Sequence, residues 1–192
     1  MALLNVARPQ VSYLDLQRAP EDGRRYEIYD GEVFVIPAPL PLHQIVALNL
    51  YAFFRRWVQR HGGVVLAAPI DILLSDYDVV QPDVVVFSRA RQHWVQLREP
   101  IRAAPDVTVE VLSPHTSVTD RGKKMQLLAR YGAPEYWLVD PDAGLIEVYH
   151  LRRGAYVLAC LAGRGESVRS PEQPGLVCAV DRILATGIEE TA

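Results

Sequence analysis

The sequence predicts a mixed domain of the α/β or α+β class, in which helices flank a mixed central β-sheet and a β-rich tail follows. Its periodic segments run in the order helix, several strands, helix, strand and further strands, which is typical of such domains. The 49% hydrophobic and 22% charged residues exclude a disordered or collagen-like chain. With 192 residues, folding is expected to bury roughly 70% of the unfolded surface, so residues 1–192 are expected to form one domain.

The first elements are an arm with a short helix and then a hairpin. Residues 1–24 are expected to form the arm and helix, with Ser12 as the N-cap and Gly23 as the stop. From Arg25 to Ile36, alternating apolar residues surround Asp30-Gly31, which is a strong signal for a two-residue hairpin turn.

The clearest helix is expected from Leu42 to Arg60, after a proline-rich loop. Its apolar residues recur at helical spacing, and Gly62-Gly63 closes it. A second helix is expected from Thr119 or Asp120 to Tyr131, with Gly132 as its end. The remaining strands are expected near residues 64–68, 70–74, 83–87, 107–112, 135–139, 145–150 and 155–160.

The strand at 107–112, VTVEVL, is apolar on both faces except at one position, which predicts a central place in the sheet. Residues 25–140 are therefore expected to form the core of the domain. Residues 141–186 are expected to be a C-terminal β-rich extension, whose strands end in a hairpin.

Two acidic residues stand out against this apolar background. Glu110 lies inside the central strand, where an ionised carboxylate is costly unless it is paired, hydrogen-bonded or bound to a metal. Asp83 opens the run VVVF directly after Gln81-Pro82. On neighbouring strands, the two carboxylates are able to hold one hard cation such as Mg²⁺. The alternative is that each acid caps a loop or pairs with one of the 18 arginines.

Several other classes are disfavoured. No apolar run approaches the ~20 residues that span a bilayer, and the first residues lack the pattern of a signal peptide, so a cytoplasmic location without membrane contact is expected. Two cysteines are too few for a disulfide framework, and the histidines lack zinc-site spacing. No nucleophile elbow, Walker A loop or Rossmann glycine pattern is present. The net charge of −3 argues against electrostatic binding of nucleic acid over a large surface but allows such binding at a local patch.

Longer strings in the sequence resemble a large prokaryotic family of restriction endonucleases of the Uma type. The Pro82-Asp83 pair followed by Glu110 is similar to the PD-(D/E)XK signature, although Leu112 stands where that signature has lysine. RRYEIYDGEV, APLPLHQ, VVQPDVVVF, VTVEVLSPHT, DRGKKMQLLARYGAPEYWLVD and IEVYHL occur in the order of the family. The resemblance spans about residues 12 to 184, nearly the whole chain.

The resemblance implies a restriction-endonuclease-like core and metal-dependent hydrolysis of DNA, with Mg²⁺ or Mn²⁺ as the cofactor. Asp83 and Glu110 match the two sheet carboxylates that hold the metal, and Glu27 matches a further acid near it. The alternative for Glu27 is an ordinary charged residue of the hairpin. His43, at the start of the long helix, would contact a phosphate or orient water, and the alternative is a capping or solvated histidine. The family also has acids at Glu135 and Asp140, for which hydrogen bonding at strand ends is the favoured interpretation.

Lys124 is the candidate for the missing cationic group. Lys124, Leu127, Leu128 and Tyr131 fall at i, i+3, i+4 and i+7, so the lysine shares the face expected to pack on the sheet. Its ammonium group would then reach toward Glu110 and stabilise charge on the phosphate or orient water. The alternative is an ordinary surface pair with the residue four positions earlier, worth ~0.3–0.5 kcal/mol.

The assembly and the activity leave further alternatives open. One expected partner is DNA, whose backbone would be contacted by local groups such as Arg55-Arg56, Arg121 and Arg130. The other expected partner is a second copy of the chain in a homodimer. The other hypothesis is a non-catalytic member of the family that binds nucleic acid or protein, which the leucine at position 112 favours.

Overall fold

The computed structural model describes residues 10–114 and 116–188, so the first nine residues of the expected arm lie outside the described part. Helices in this part are α1 (Tyr13–Arg18), α2 (Pro41–His61), α3 (Ser117–Thr119), α4 (Met125–Arg130) and α5 (Val180–Ile183). A π-helical turn at Asp120–Lys124 joins α3 to α4, and a 3₁₀ turn spans Gln92–Trp94. None of the helices described is both long and apolar enough to cross a membrane.

The strands form three sheets in the described part of the chain. They are β1 (Arg25–Tyr29), β2 (Glu32–Ile36), β3 (Gly63–Ala67), β4 (Ile72–Ser75), β5 (Asp78–Val80), β6 (Val84–Ser88), β7 (Val107–Val111), β8 (Glu135–Asp140), β9 (Leu145–Arg152), β10 (Ala155–Gly163), β11 (Ser167–Arg169) and β12 (Val177–Ala179). The main sheet has the order β10-β9-β8-β7-β6-β3, the second β2-β1-β5-β4, and the third pairs β11 with β12.

The main sheet is mixed, as the sequence predicts. β7 pairs in parallel with β8 and antiparallel with β6, and the other pairs of this sheet are antiparallel. All five residues of β7 are buried, so the predicted central strand is confirmed. Because side chains alternate along a strand, the two faces of β7 differ: its three valines face one layer, while Thr108 and Glu110 face the other.

Helix α2 covers the first face of the main sheet. Its buried residues Val46, Leu50, Phe54 and Val58 recur at helical spacing and pack in one core with the valines of β7. The helix begins at Pro41, one residue before the expected start, because the fixed φ of proline suits the first helical position. The other face carries α4 and the second sheet.

The hairpin of β1 and β2 is confirmed, and it belongs to the second sheet. Asp30 and Gly31 turn the chain with φ values of 50° and 80°, as a two-residue hairpin requires. Strand β5 was not predicted. With three residues it is too short to show a period, and its pairing with β1 joins residues far apart in sequence.

The first helix is shorter than expected. Ser12 caps α1 in a capping box with Asp15, as predicted, but the helix ends at Arg18 instead of near Gly23. The cause is Pro20, because a residue before proline disfavours helical backbone and Ala19 is accordingly extended.

The C-terminal region has more structure than the sequence indicated. The predicted hairpin is present as the longer strands β9 and β10, which extend the main sheet beyond β8. The short elements β11, β12 and α5 were not predicted. Their residues Val168, Cys178 and Ile183 pack into the same core as α2, so tertiary contacts stabilise them.

Candidate active site

Two neighbouring strands place Asp83 and Glu110 side by side. The β6–β7 register pairs Val84 with Val109, so Asp83, directly before β6, lies beside Glu110 on β7. The Val111 backbone N–H donates to Asp83 Oδ2 at 2.8 Å, which fixes the aspartate at the end of the sheet. The juxtaposition expected from the sequence is therefore present.

Lys124 lies at the centre of a buried ionic cluster. Its Nζ atom is 3.0 Å from Glu27 Oε1, 3.0 Å from Glu110 Oε2 and 3.3 Å from Asp120 Oδ1. Only 4% of the lysine is exposed, and the three acids are also buried. The Lys124 side chain therefore points toward Glu110, as the sequence predicts. The alternative ion pair with Asp120 is also present, but this pair is buried and does not lie on the surface.

Glu27 is tightly held by neutral donors as well as by the lysine. Tyr29 Oη donates to its Oε2 at 2.6 Å, and the Gln81 backbone N–H donates to its Oε1 at 2.6 Å. Tyr29 and Gln81 were not predicted as site residues. Tyr29 shares a strand with Glu27. The contact of Gln81, which follows β5, joins distant parts of the chain, so no local pattern predicts it.

The wide turn between α3 and α4 positions both Asp120 and Lys124. Such π-helical turns are rare in proteins, and those that occur often lie at functional sites. Tyr136 Oη donates to the Asp120 carbonyl at 2.9 Å, and Leu127 and Leu128 pack α4 onto the sheets. These contacts fix the start of the turn at Asp120 and the helix that follows the turn, and together they hold Lys124 in position.

Burial and charge shift the pKa values in this cluster. Burial raises the pKa of Glu110 well above its ordinary value; Lys124 opposes the shift, and the carboxylates of Asp120, Asp83 and Glu27 add to it. Burial also raises the pKa of Asp120, again against Lys124. For Lys124, burial acts to lower the pKa, but Glu110, Glu27 and Asp120 together raise it well above the usual lysine value. The lysine is therefore charged near neutral pH.

His43 joins the site from the first turn of α2. Its Nε2 atom is 3.0 Å from Asp83 Oδ2. Its Nδ1 atom is buried and has no hydrogen-bond partner in the described part of the chain, and the same is true of Glu110 Oε1. Buried polar atoms without partners are costly, so such atoms indicate a site that accepts a ligand or water.

All five residues expected from the sequence line one cavity of about 260 Å³. They are Glu27, His43, Asp83, Glu110 and Lys124. Four carboxyl groups, including that of Asp120, share this cavity with one lysine. Within residues 10–114 and 116–188, no three metal-ligating side chains lie close enough to hold an ion without rearrangement. Asp83 and the partnerless oxygen of Glu110 still fit Mg²⁺, which takes one or two carboxylates and keeps several waters.

Several other charged residues have structural partners. Lys123, next to Lys124, is half exposed, pairs with Glu32 at 3.0 Å and lies over the ring of Phe34. Asp140 accepts a bond from the Ala143 backbone N–H at 2.9 Å. Arg121 pairs with Glu147, and Arg130 pairs with Asp30 and Asp78, so both candidate DNA contacts are engaged by acids.

Glu135 is saturated by hydrogen bonds on the opposite face of the main sheet. Trp137 Nε1 donates to its Oε2 at 2.8 Å, and the Glu172 backbone N–H donates to its Oε1 at 2.9 Å. Ser170 Oγ also donates to Oε1. The favoured interpretation of this acid as a hydrogen-bonding group agrees with these contacts.

This mixed sheet with flanking helices and a carboxylate pair at the end of two strands defines a restriction-endonuclease-like fold. The chain belongs to the Uma2 family, described as "Putative restriction endonuclease", whose model matches residues 11–181.

Two known proteins illustrate the similarity. The uncharacterized protein slr1290 of Synechocystis is 26% identical over 139 residues, covering 70% of each chain. A crystal structure from Anabaena variabilis, described as "a putative nuclease belonging to DUF820", superimposes with a TM-score of 0.72 at 21% identity. That match covers 91% of this chain and 97% of the other, and it shows the shared fold.

Proposed function

We propose that the protein is an endonuclease that hydrolyses DNA phosphodiester bonds with a divalent metal ion. The observation that carries the proposal is the pairing of Asp83 with Glu110 on adjacent strands, at a cavity where Glu110 Oε1 has no partner among the described residues. The family to which the chain belongs supports the same chemistry.

Asp83 and Glu110 would hold Mg²⁺ or Mn²⁺, since both ions prefer carboxylate and water oxygens. The bound ion would supply polarisation of the scissile phosphate and a lower pKa for a nearby water. Asp83 is fixed for this task by the Val111 backbone N–H and by His43. Glu110 keeps one oxygen for a ligand because Lys124 occupies only the other.

Lys124 holds the acids together and brings a fixed positive charge to the cavity. Since phosphoryl transfer depends on positioning and charge stabilisation, a rigid ammonium group beside the phosphate is the expected role. In this proposal Glu27, implied as a third metal ligand by the resemblance, instead fixes the lysine with Tyr29 and Gln81. The Nε2 atom of His43 faces Asp83, so its partnerless Nδ1 atom is left to accept a hydrogen bond from a water.

The second candidate function is a binding module without turnover. One observation favours it: Lys124 Nζ lies within 3.3 Å of three carboxylates and so neutralises part of the charge that would attract a cation. In addition, Leu112 is buried in the core and supplies no cation at its position.

Metal binding and cleavage in the same variants separate the two candidates. We expect Mn²⁺ or Mg²⁺ to raise the melting temperature of the wild type and to support DNA cleavage. Asp83→Asn and Glu110→Gln should lose both effects, whereas Asp142→Asn, which changes an exposed acid, should keep both. Metal stabilisation that persists in both site variants would disprove the shared site. Stabilisation without cleavage in the wild type would support the binding module.

The proposal includes a homodimer and a cytoplasmic location. Strand β10 forms an outer edge of the main sheet and exposes Val157, Leu158 and Leu161, and exposed edges pair readily with a second copy. Two active sites would allow both strands of a duplex to be cut. Sedimentation at micromolar concentration tests the dimer, and Leu158→Lys should shift it toward monomer.

The cytoplasmic location that we propose agrees with the state of the two cysteines. Cys160 and Cys178 are free thiols, in keeping with a reducing compartment.

A further inference from the structure

A second cavity of about 480 Å³ lies at the other end of α2, between its last turns and the C-terminal segment around β12. We call it the basic groove. It is lined by the guanidinium groups of Arg56, Arg60 and Arg182, by His61 and by the aromatic rings of Phe53 and Trp57. No acidic residue of the described chain lines it.

The three arginines of the basic groove have no acidic partner among the described residues, in contrast to the arginines that form ion pairs elsewhere in the protein. Arg91, Arg102, Arg121, Arg130 and Arg164 each lie within 3.7 Å of a carboxylate. Arg56, Arg60 and Arg182 are exposed, and none forms an ion pair or hydrogen bond with another described residue. Because positive charges that lie together without acidic partners repel one another, the groove has a positive potential although the protein as a whole is acidic. Such a site favours a bound anion.

The basic groove gathers arginines from two helices. Arg56 and Arg60 are four residues apart on α2 and therefore neighbours on its surface. Arg182 lines the groove from α5, on the side opposite α2. Burial raises the pKa of the Cys178 thiol, which also lines the groove, and Arg182 and Arg56 oppose this shift.

The aromatic rings add a flat, rigid wall. Trp57 and His61 stack with centroids 4.7 Å apart and an interplanar angle of 17°. Trp57 Nε1 donates to the Pro174 carbonyl at 3.4 Å, and His61 Nδ1 donates to the Trp57 carbonyl at 2.9 Å. The hydrogen bond of Trp57 thus ties the stack to the C-terminal side of the groove, and His61 is the more exposed of the two residues.

We propose that the basic groove binds the phosphate backbone of DNA and so anchors the substrate away from the cutting site. Guanidinium groups beside aromatic faces are the combination that proteins use to hold nucleic-acid strands. The groove begins about 20 Å from His43 along the axis of α2. A strand held there extends beyond the few nucleotides at the cavity of Asp83 and Glu110. The choice of DNA as the ligand rests on the proposed function, but the binding itself needs neither metal nor cleavage.

The test measures binding of a short fluorescein-labelled DNA duplex by anisotropy, in EDTA, between about 50 and 200 mM salt. The groove variant carries Arg56→Gln, Arg60→Gln and Arg182→Gln. The matched control carries Arg18→Gln, Arg98→Gln and Arg153→Gln, three exposed positions elsewhere, so both variants lose the same charge. Melting temperatures confirm that each variant is folded.

We expect the groove variant to bind at least about tenfold more weakly, with a salt slope smaller by about 0.9 per lost contact, and the control to bind nearly as the wild type does. Equal losses in both variants, or no salt-dependent binding by the wild type, would overturn the proposal. So would competition by polyglutamate as strong as by unlabelled duplex, since the groove would then take any polyanion. Because Glu110→Gln leaves the groove intact, loss of cleavage in that variant bears only on the proposed function.

Discussion

Two buried glutamates on neighbouring parallel strands have opposite surroundings in this protein. Glu110 lies on β7 and Glu135 on β8, and both side chains are almost fully inaccessible. They point to different faces of the main sheet. Glu135 packs beside Trp137 in the layer of α2, whereas Glu110 faces Lys124 and the second sheet.

The two carboxylates also differ in how their oxygens are used. Neutral donors from Trp137, Ser170 and the Glu172 backbone saturate Glu135, and these contacts tie β8 to the C-terminal segment. Glu110 has one oxygen on Lys124 and one buried oxygen without a partner among the described residues. Burial raises both pKa values. The difference teaches that burial alone does not distinguish the two acids, because only Glu110 combines an unsatisfied oxygen with a neighbouring charge.

The largest expected effect comes from removing the charge beside Glu110. Lys124→Met should cost about 3–5 kcal/mol of unfolding free energy, because Glu27, Glu110 and Asp120 would remain buried without a cation. Lys123→Met is the matched control and should cost at most about 1 kcal/mol, since its pair with Glu32 is half exposed. Urea unfolding at neutral pH measures both, and similar losses would break the contrast between a buried cluster and a surface pair.

The next effect compares the two glutamates directly. At neutral pH, Glu135→Gln should lose about 1–3 kcal/mol, because an amide nitrogen would face a donor such as Trp137 Nε1 that needs an acceptor. Glu110→Gln should lose less than about 1 kcal/mol, since Lys124 keeps Glu27 and Asp120 and a costly buried charge disappears.

Cleavage by these two variants should follow the opposite order. Glu135→Gln should keep its activity while folded, and Glu110→Gln should lose it. A Glu135→Gln variant that is stable but inactive would contradict the assignment of that acid to structure.

The smallest effect is the pH dependence of stability. Burial raises the folded pKa of Glu135, with Ser170, Trp137 and the Glu172 backbone opposing and the Glu172 carboxylate adding. Its contribution is therefore fully present below the unfolded value of about 4.3 and is lost as pH rises through the folded pKa. The advantage of the wild type over Glu135→Gln should narrow as pH rises in this range.

Glu147 provides a control with the opposite sign. Hydrogen bonds from Arg121 lower its pKa against a smaller effect of burial. Its contribution is present above the unfolded value and is lost as pH falls through the folded pKa. The advantage of the wild type over Glu147→Gln should therefore shrink on acidification. Chemical denaturation across this pH range measures both slopes, and two slopes of the same sign would contradict the stated pKa directions.

The sequence by itself determined the elements that depend on local patterns. Alternating apolar residues around Asp30-Gly31 predicted the first hairpin, and the apolar run at 107–112 predicted the central strand. Both predictions were possible because turn geometry and strand burial depend on residues that are adjacent in the sequence. Helical spacing also placed Lys124 on the face toward the sheet.

Only the tertiary structure decided which groups meet. β5, β11 and β12 are too short for a period, and their pairing comes from distant segments. The contact of Gln81 with Glu27 joins residues 54 positions apart, and that of Lys124 with Glu27 joins two layers. The sequence also left open whether Glu135 is saturated and Glu110 is not. Hydrogen-bond satisfaction depends on where separate chain segments are packed, so no local pattern of residues specifies it.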